Sequence, residues 1–112
     1  MSQITTHILD TSKGSPAAGV TVVLYNGSNN DWREIARGTT NADGRVADLL
    51  PKETLLQTGI YKLRFETKDY FDKDRIATFY PFVEIVFDIQ FTEHYHVPLL
   101  LNPFGYSTYR GS

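Results

Sequence analysis

Short β-forming runs, most of them alternating apolar and polar side chains, dominate this sequence. Two-residue alternation is typical of strands that bury one face. The runs that fit are residues 4–9, 20–25, 32–37, 60–66, 82–89, 95–101 and 106–110. Turn-forming residues interrupt them at 14–19, 26–29, 41–44 and 102–105. The polar segment 68–74 fits a short helix or a turn. Seven or eight short strands at this spacing predict an antiparallel, all-β sandwich. Pro98 favours an edge position or a bulge for its strand, because proline cannot donate to the ladder.

Length and charge narrow the class of protein further. A chain of 112 residues with 41% hydrophobic residues suits one globular domain, residues 1–112. A net charge of −2 argues against a nucleic-acid or membrane-surface partner. No apolar run approaches the ~20 residues that cross a bilayer, and the first residues do not resemble a signal peptide. We therefore expect a soluble protein of the cytoplasm. The absence of cysteine excludes disulfides, thiolate metal sites and a cysteine nucleophile.

The three histidines are the first candidates for chemistry. His7 shares the less apolar face of its strand with Thr5, where it is either solvated or lines a cleft formed with another subunit. His94 and His96 are two residues apart and so share a strand face. Such a pair binds zinc only with a third ligand. We favour surface or hydrogen-bonded strand histidines and predict no metal site.

Arg45 and Ser112 are further candidates. Asp43 and Gly44 predict a tight turn, because glycine tolerates positive φ. Arg45 follows this turn, either as a solvated cation or as a forked donor to a planar, carbonyl-rich ligand. Ser112 lacks a G-x-S-x-G elbow, so we do not expect a covalent serine mechanism.

Four stretches together resemble the transthyretin-like 5-hydroxyisourate hydrolases. They are residues 4–10, 43–45, 94–100 and the final Tyr-Arg-Gly-Ser at 109–112. The resemblance covers essentially the whole chain. The tetrapeptide marks the enzymes, whereas the hormone-carrying transthyretins lack both it and the active-site histidines. The resemblance implies a transthyretin-like sandwich of two four-stranded sheets with one short helix. It also implies a homotetramer with its sites at the dimer–dimer interface.

The same resemblance implies the reaction and its residues. The family hydrolyses 5-hydroxyisourate, the product of urate oxidation, to 2-oxo-4-hydroxy-4-carboxy-5-ureidoimidazoline. The residues carried over as catalytic are His7, Arg45, His96 and Ser112. Those carried over as substrate-binding are His7, Arg45 and Tyr109. His94 is not clearly part of either set.

Ring opening of a cyclic amide by water needs a base and donors for the carbonyl oxygen, but no cofactor. His7 and His96 both suit the base, and the sequence does not choose between them. The alternative function is a transthyretin-fold module that binds a small ligand, or a structural sandwich, without catalysis. Two histidines and an arginine at one site favour catalysis over a carrier channel.

Overall fold

The computed structural model describes residues 2–28 and 31–112 and arranges their strands in two sheets. The strands are β1 (Ile4–Asp10), β2 (Ser15–Pro16), β3 (Thr21–Ser28), β4 (Asp31–Thr39), β5 (Gly59–Phe65), β6 (Val83–Ile89), β7 (Tyr95–Asn102) and β8 (Gly105–Thr108). The helix α1 (Thr67–Asp72) follows β5. The strand orders are β2-β1-β7-β8 and β4-β3-β5-β6. The predicted all-β sandwich of two four-stranded sheets with one short helix is confirmed. No helix in the described part of the chain is long and apolar enough to span a membrane.

Two local predictions need correction. The segment 14–19 contains the short strand β2, paired with the end of β1. The turn predicted at 26–29 reaches Asn29, which lies outside the described residues. Before it, β3 continues in register with β4, because Gly27 leaves room for the ring of Trp32 on the paired strand.

The pairing of β1 with β7 is parallel, so the sandwich is not wholly antiparallel. Parallel neighbours need a long crossover. Here the crossover includes the entire second sheet, which lies between β1 and β7 in the chain. This pairing brings the first and last parts of the sequence side by side.

Pro98 lies in a central strand, so the edge position, one of the two alternatives predicted for it, is wrong. Strand β7 pairs with β1 on one side and with β8 on the other. The β7–β8 ladder ends at the pair Leu99 and Thr108, then resumes as a single bridge between His96 and Gly111. Pro98 lies in that interruption, where its missing N–H breaks no ladder bond. The side chain of Thr108 donates to the Pro98 carbonyl at 2.7 Å.

The core forms between the inward faces of the two sheets. Along β1, burial alternates strictly: Ile4 and Ile8 are fully buried, whereas His7 between them is half-buried. Complete burial of one such isoleucine contributes about 1.5–3 kcal/mol. The core therefore fixes which face of β1 is turned away from it, and that outward face carries Thr5 and His7.

Candidate active site

The candidate site lies on the outward face of the sheet that contains β1 and β7. In the parallel ladder, Thr5 pairs with His96 and His7 pairs with Pro98. Paired residues on neighbouring strands project to the same side of a sheet. Thr5, His7 and His96 are all half-buried there. The pairing thus joins two sequence motifs that lie about 90 residues apart.

A tight turn brings Arg45 to the same face. Gly44 donates its N–H to the Asn41 carbonyl at 2.9 Å and has a φ of 73°. A side chain at this position would also collide with the carbonyl oxygen of Ile8. The Asn41 N–H donates to the Arg45 carbonyl at 2.8 Å, and Arg45 forms a β-bridge with His7. The predicted Asp-Gly turn is therefore present, and it sets Arg45 beside β1.

The C-terminal tetrapeptide is attached to β7 through Gly111. Its N–H donates to the carbonyl of His96 at 2.8 Å. A Cβ at position 111 would lie 2.5 Å from Cδ2 of the His96 ring and 3.3 Å from Cγ of Pro98. The ring of His96 therefore occupies the space that any side chain here would need. Ser112 follows directly and is exposed.

These elements enclose an open cavity of about 340 Å³. Its lining residues are Thr5, Arg45, His94, His96 and Ser112. The Thr5 hydroxyl lies 2.8 Å from Nε2 of His94 and 2.8 Å from Nδ1 of His96. The two imidazole rings are nearly parallel, with 18° between their planes. No Asp or Glu side chain of the described residues lines this cavity. The site is therefore rich in donors and suits a ligand with several carbonyl oxygens.

Burial lowers the pKa of His96, and the neighbouring Arg45, His94 and His7 lower it further. The backbone of Thr5 acts in the opposite direction but is outweighed. His96 is therefore predominantly neutral near pH 7. A neutral imidazole has a lone pair that can accept a proton from water.

Two of the predicted site residues do not line this cavity. His7 lies on the same face and bridges to Arg45, which lines the cavity, but His7 itself does not line it. Tyr109 is 60% exposed and lines a neighbouring cavity of about 280 Å³, which His96 also borders. One subunit thus brings Arg45, His96 and Ser112 together and leaves Tyr109 beside them.

Arg110, the second residue of the tetrapeptide, folds back onto its own subunit. Its guanidinium carbon lies 4.4 Å from the centre of the Tyr95 ring. Its Nη2 donates to a carboxylate oxygen of Glu93 at 3.1 Å. Both contacts orient this side chain along the surface rather than into the cavity with Arg45.

A protein-family model described as HIUase/transthyretin matches residues 4–111. The chain belongs to the HIUase/transthyretin family. A probable 5-hydroxyisourate hydrolase of Caenorhabditis elegans is 47% identical, over 99% of this chain and 82% of that protein. The 5-hydroxyisourate hydrolase of Klebsiella pneumoniae, a solved structure, is 39% identical, with a TM-score of 0.86 over 97% of this chain and 98% of that one. Transthyretin of Sparus aurata is 32% identical, with a TM-score of 0.89 over 97% and 96%. The family resemblance predicted from the sequence is confirmed.

Backbone similarity does not distinguish the hydrolase relatives of this chain from its transthyretin relatives. The transthyretin and the hydrolase superpose on this chain almost equally well, with TM-scores of 0.89 and 0.86. Sequence identity is higher for the hydrolases. The distinction must come from side chains, because function resides in sites rather than in folds.

Thr5 and His94 line the cavity but were not among the predicted site residues. The alternation of β1 had placed Thr5 on the face of His7, and that pattern was the signal for it. The two-residue spacing had likewise placed His94 beside His96. Within residues 2–28 and 31–112, no three His, Asp or Glu side chains converge as metal ligands.

Proposed function

We propose that this chain, as one domain, hydrolyses 5-hydroxyisourate to 2-oxo-4-hydroxy-4-carboxy-5-ureidoimidazoline at the cavity between β1, β7 and the tetrapeptide. Its relatives named 5-hydroxyisourate hydrolase match it over nearly its full length, which supports a hydrolase of urate degradation. The observation that carries the proposal is the lining itself. His96 has a lowered pKa, and it shares the cavity with Arg45 and Ser112.

The chemistry follows from what each group can do. A water oxygen adds to a ring carbonyl carbon while a neutral histidine takes one of its protons. Negative charge then develops on the carbonyl oxygen, where the Arg45 fork stabilises it. When the carbon–nitrogen bond breaks, the departing nitrogen takes the proton back from the histidine. Each atom and proton is accounted for without a cofactor.

We assign the base to His96 and a supporting role to His7. His96 lines the cavity and has the lowered pKa, whereas His7 borders Arg45. Ser112 contributes a hydroxyl to the cavity wall. Tyr109, from the neighbouring cavity, would reach the substrate from the rim.

The open site supports the assembly implied by the family. The cavity and its rim face away from the subunit core, and Arg45 and Ser112 are exposed. An open face excludes water poorly, and excluding water strengthens the electrostatic interactions of an active site. We propose a homotetramer in which a second dimer covers each site, and we propose the cytoplasm as its location.

Turnover of freshly made substrate tests the function. Urate oxidase converts urate to 5-hydroxyisourate, whose ultraviolet absorbance decays slowly without a catalyst. Added protein should accelerate that decay in proportion to its concentration. Unchanged decay together with saturable binding of the substrate would favour the ligand-binding alternative.

A further inference from the structure

The Thr5 hydroxyl lies between two imidazole rings and has a single proton. It is 2.8 Å from Nε2 of His94 and 2.8 Å from Nδ1 of His96. The three groups can form a chain of two hydrogen bonds, in which the hydroxyl donates its proton to one ring and accepts a proton from the other. The proton on one ring therefore determines which nitrogen of the other ring is free.

We propose that Thr5 is a positioning residue whose hydroxyl accepts from Nδ1–H of His96 and donates to Nε2 of His94. This inference rests on the proposed function, in which His96 acts as the base. Fixing the proton on Nδ1 leaves Nε2 of His96 with its lone pair as the only nitrogen available to water. The opposite arrangement would put a proton on Nε2 and remove the base.

The exposure of His94 supports this direction. His94 is exposed, so its own N–H on Nδ1 can be satisfied by water while Nε2 accepts from Thr5. All donors in the chain then point from His96 to His94, an order in which hydrogen bonds strengthen one another.

The ring of His96 is also held on its opposite side. Gly111 approaches Cδ2 so closely that a methyl group there would lie 2.5 Å away. The backbone of Gly111 therefore packs directly against this edge of the ring. The hydroxyl of Thr5 and the backbone of Gly111 together hold one ring orientation, and each acts on a different edge of the ring.

Other charged and titratable groups face His96 and contribute to its pH dependence. The groups that line a cavity with His96 or lower its pKa are His7, Arg45, Asp88, His94, Tyr95, Tyr109 and Arg110. Of these groups, only His94 is hydrogen-bonded to the Thr5 hydroxyl, so substitution of Thr5 leaves the others in place. A shift of the acid limb of kcat/KM in a Thr5 variant therefore reports the hydroxyl.

The experiment compares Thr5→Val, which keeps the shape but loses the hydroxyl, with Thr5→Ser, which keeps it. The control is Thr39→Val, the same change on an exposed position of β4 in the other sheet. We expect Thr5→Val to lower kcat about 10- to 100-fold with little change in KM, because misplacing a catalytic group by about 1 Å can cost about 100-fold. A hydroxyl that accepts from Nδ1–H favours the protonated ring, so its loss should also move the acid limb to lower pH. Thr5→Ser keeps the hydroxyl and should stay close to the wild-type kcat.

Nitrogen-15 spectra of the histidines test the inference independently of activity. The wild-type protein should show His96 as the Nδ1–H tautomer, and Thr5→Val should show a mixture. Wild-type His96 as Nε2–H would overturn the proposal, as would equal losses in the valine and serine variants or wild-type kcat in Thr5→Val. If the protein did not hydrolyse 5-hydroxyisourate, the proposed function would fail while the spectra still decided the tautomer.

Discussion

Gly111 is required by the His96 ring beside it rather than by its backbone conformation. Its φ is not among the positive values, yet a Cβ would lie 2.5 Å from Cδ2 of His96. Pro98 blocks the other direction at 3.3 Å. This packing gives a physical reason for glycine in the Tyr-Arg-Gly-Ser tetrapeptide.

We predict that Gly111→Ala displaces the His96 ring from Thr5 and lowers kcat at least about tenfold. Misplacing a catalytic group by about 1 Å can cost about 100-fold. Gly105→Ala is the matched control, because the nearest atoms to its Cβ would be 3.7 Å away, an ordinary contact. Steady-state turnover of both variants is the measurement. A fully active Gly111→Ala enzyme would mean that the ring has freedom to move.

Arg45 offers a test of geometry at constant charge. Lysine keeps the positive charge but loses the planar fork that binds two oxygens. We predict that Arg45→Lys lowers kcat/KM about 10- to 100-fold, as expected for loss of charge-assisted hydrogen bonds worth about 1.5–3 kcal/mol. Arg37→Lys, which changes an arginine paired with Glu34 on the other sheet, should have no effect. Near-normal kcat/KM in Arg45→Lys would reduce Arg45 to a turn residue.

At the residue scale, the sequence predicted which residue types the candidate site contains better than it predicted which of those residues are in contact. The alternation of β1 predicted that His7 faces outward. The Asp-Gly pair predicted the tight turn that directly precedes Arg45. The bridge between them, however, joins residues 38 positions apart through two elements that local patterns do not relate. Thr5 was not predicted as a site residue, because a threonine on a strand can have many roles. Only the short distances from its hydroxyl to two imidazole rings distinguish it.

Among the secondary-structure elements, strand positions were predicted and strand partners were not. The two-residue alternation of side chains predicts that β7 is a strand. Its parallel pairing with β1, in contrast, depends on how the whole intervening chain folds. The same limit explains Pro98. A proline in a run of strand residues indicates a missing ladder bond. The sequence does not reveal that the partner strand is itself interrupted opposite the proline.

Helix α1 is linked to the end of β1 by a buried hydrogen bond. The Tyr70 hydroxyl donates to Oδ2 of fully buried Asp10 at 2.7 Å. Burial by itself raises the pKa of Asp10, but hydrogen bonds from Ser12, Tyr70 and backbone N–H groups outweigh it and lower the pKa overall. Burial, aided by Asp10, raises the pKa of Tyr70 to about 12.

We predict that Tyr70→Phe lowers the free energy of unfolding by about 1.5–3 kcal/mol at pH 7, the usual range for a hydrogen bond to a charged group. Because the folded pKa of Asp10 lies below its ordinary 3.8, ionised Asp10 stabilises the fold above that pH. The contribution is lost as pH falls towards the folded pKa. The difference between variant and wild type should therefore narrow below about pH 4.

Urea denaturation at pH 7 and at pH 3 measures this difference. Tyr80→Phe is the control, since Tyr80 is 37% exposed and makes edge-to-face contacts with the rings of Phe79 and Tyr106 instead. An equal loss in the two variants, or a difference independent of pH, would show that Asp10 does not depend on Tyr70.

At the scale of the whole molecule, the outward face of β1 and β7 carries the candidate site. This face is more apolar than is usual for a sheet face exposed to solvent. Leu9 and Leu100 pair across β1 and β7 and are half-buried on the same side as His7. Their neighbours in sequence, Ile8 and Leu99, are fully buried on the inward side. Apolar residues beside an open candidate site are typical of a surface that a partner covers.

We predict that a charge on this face disrupts assembly of the tetramer but leaves the subunit folded. Leu100→Lys places an ammonium group where a second dimer would pack, so the tetramer should dissociate and specific activity should fall. Since the side chain points away from the core, the free energy of unfolding should change by less than about 1 kcal/mol. Ile60→Lys is the matched control, because Ile60 is 42% exposed on the other sheet. Light scattering and turnover at several protein concentrations measure both effects. A wild-type enzyme that is active as a monomer, or a Leu100→Lys variant that remains a fully active tetramer, would mean that this face is not the interface.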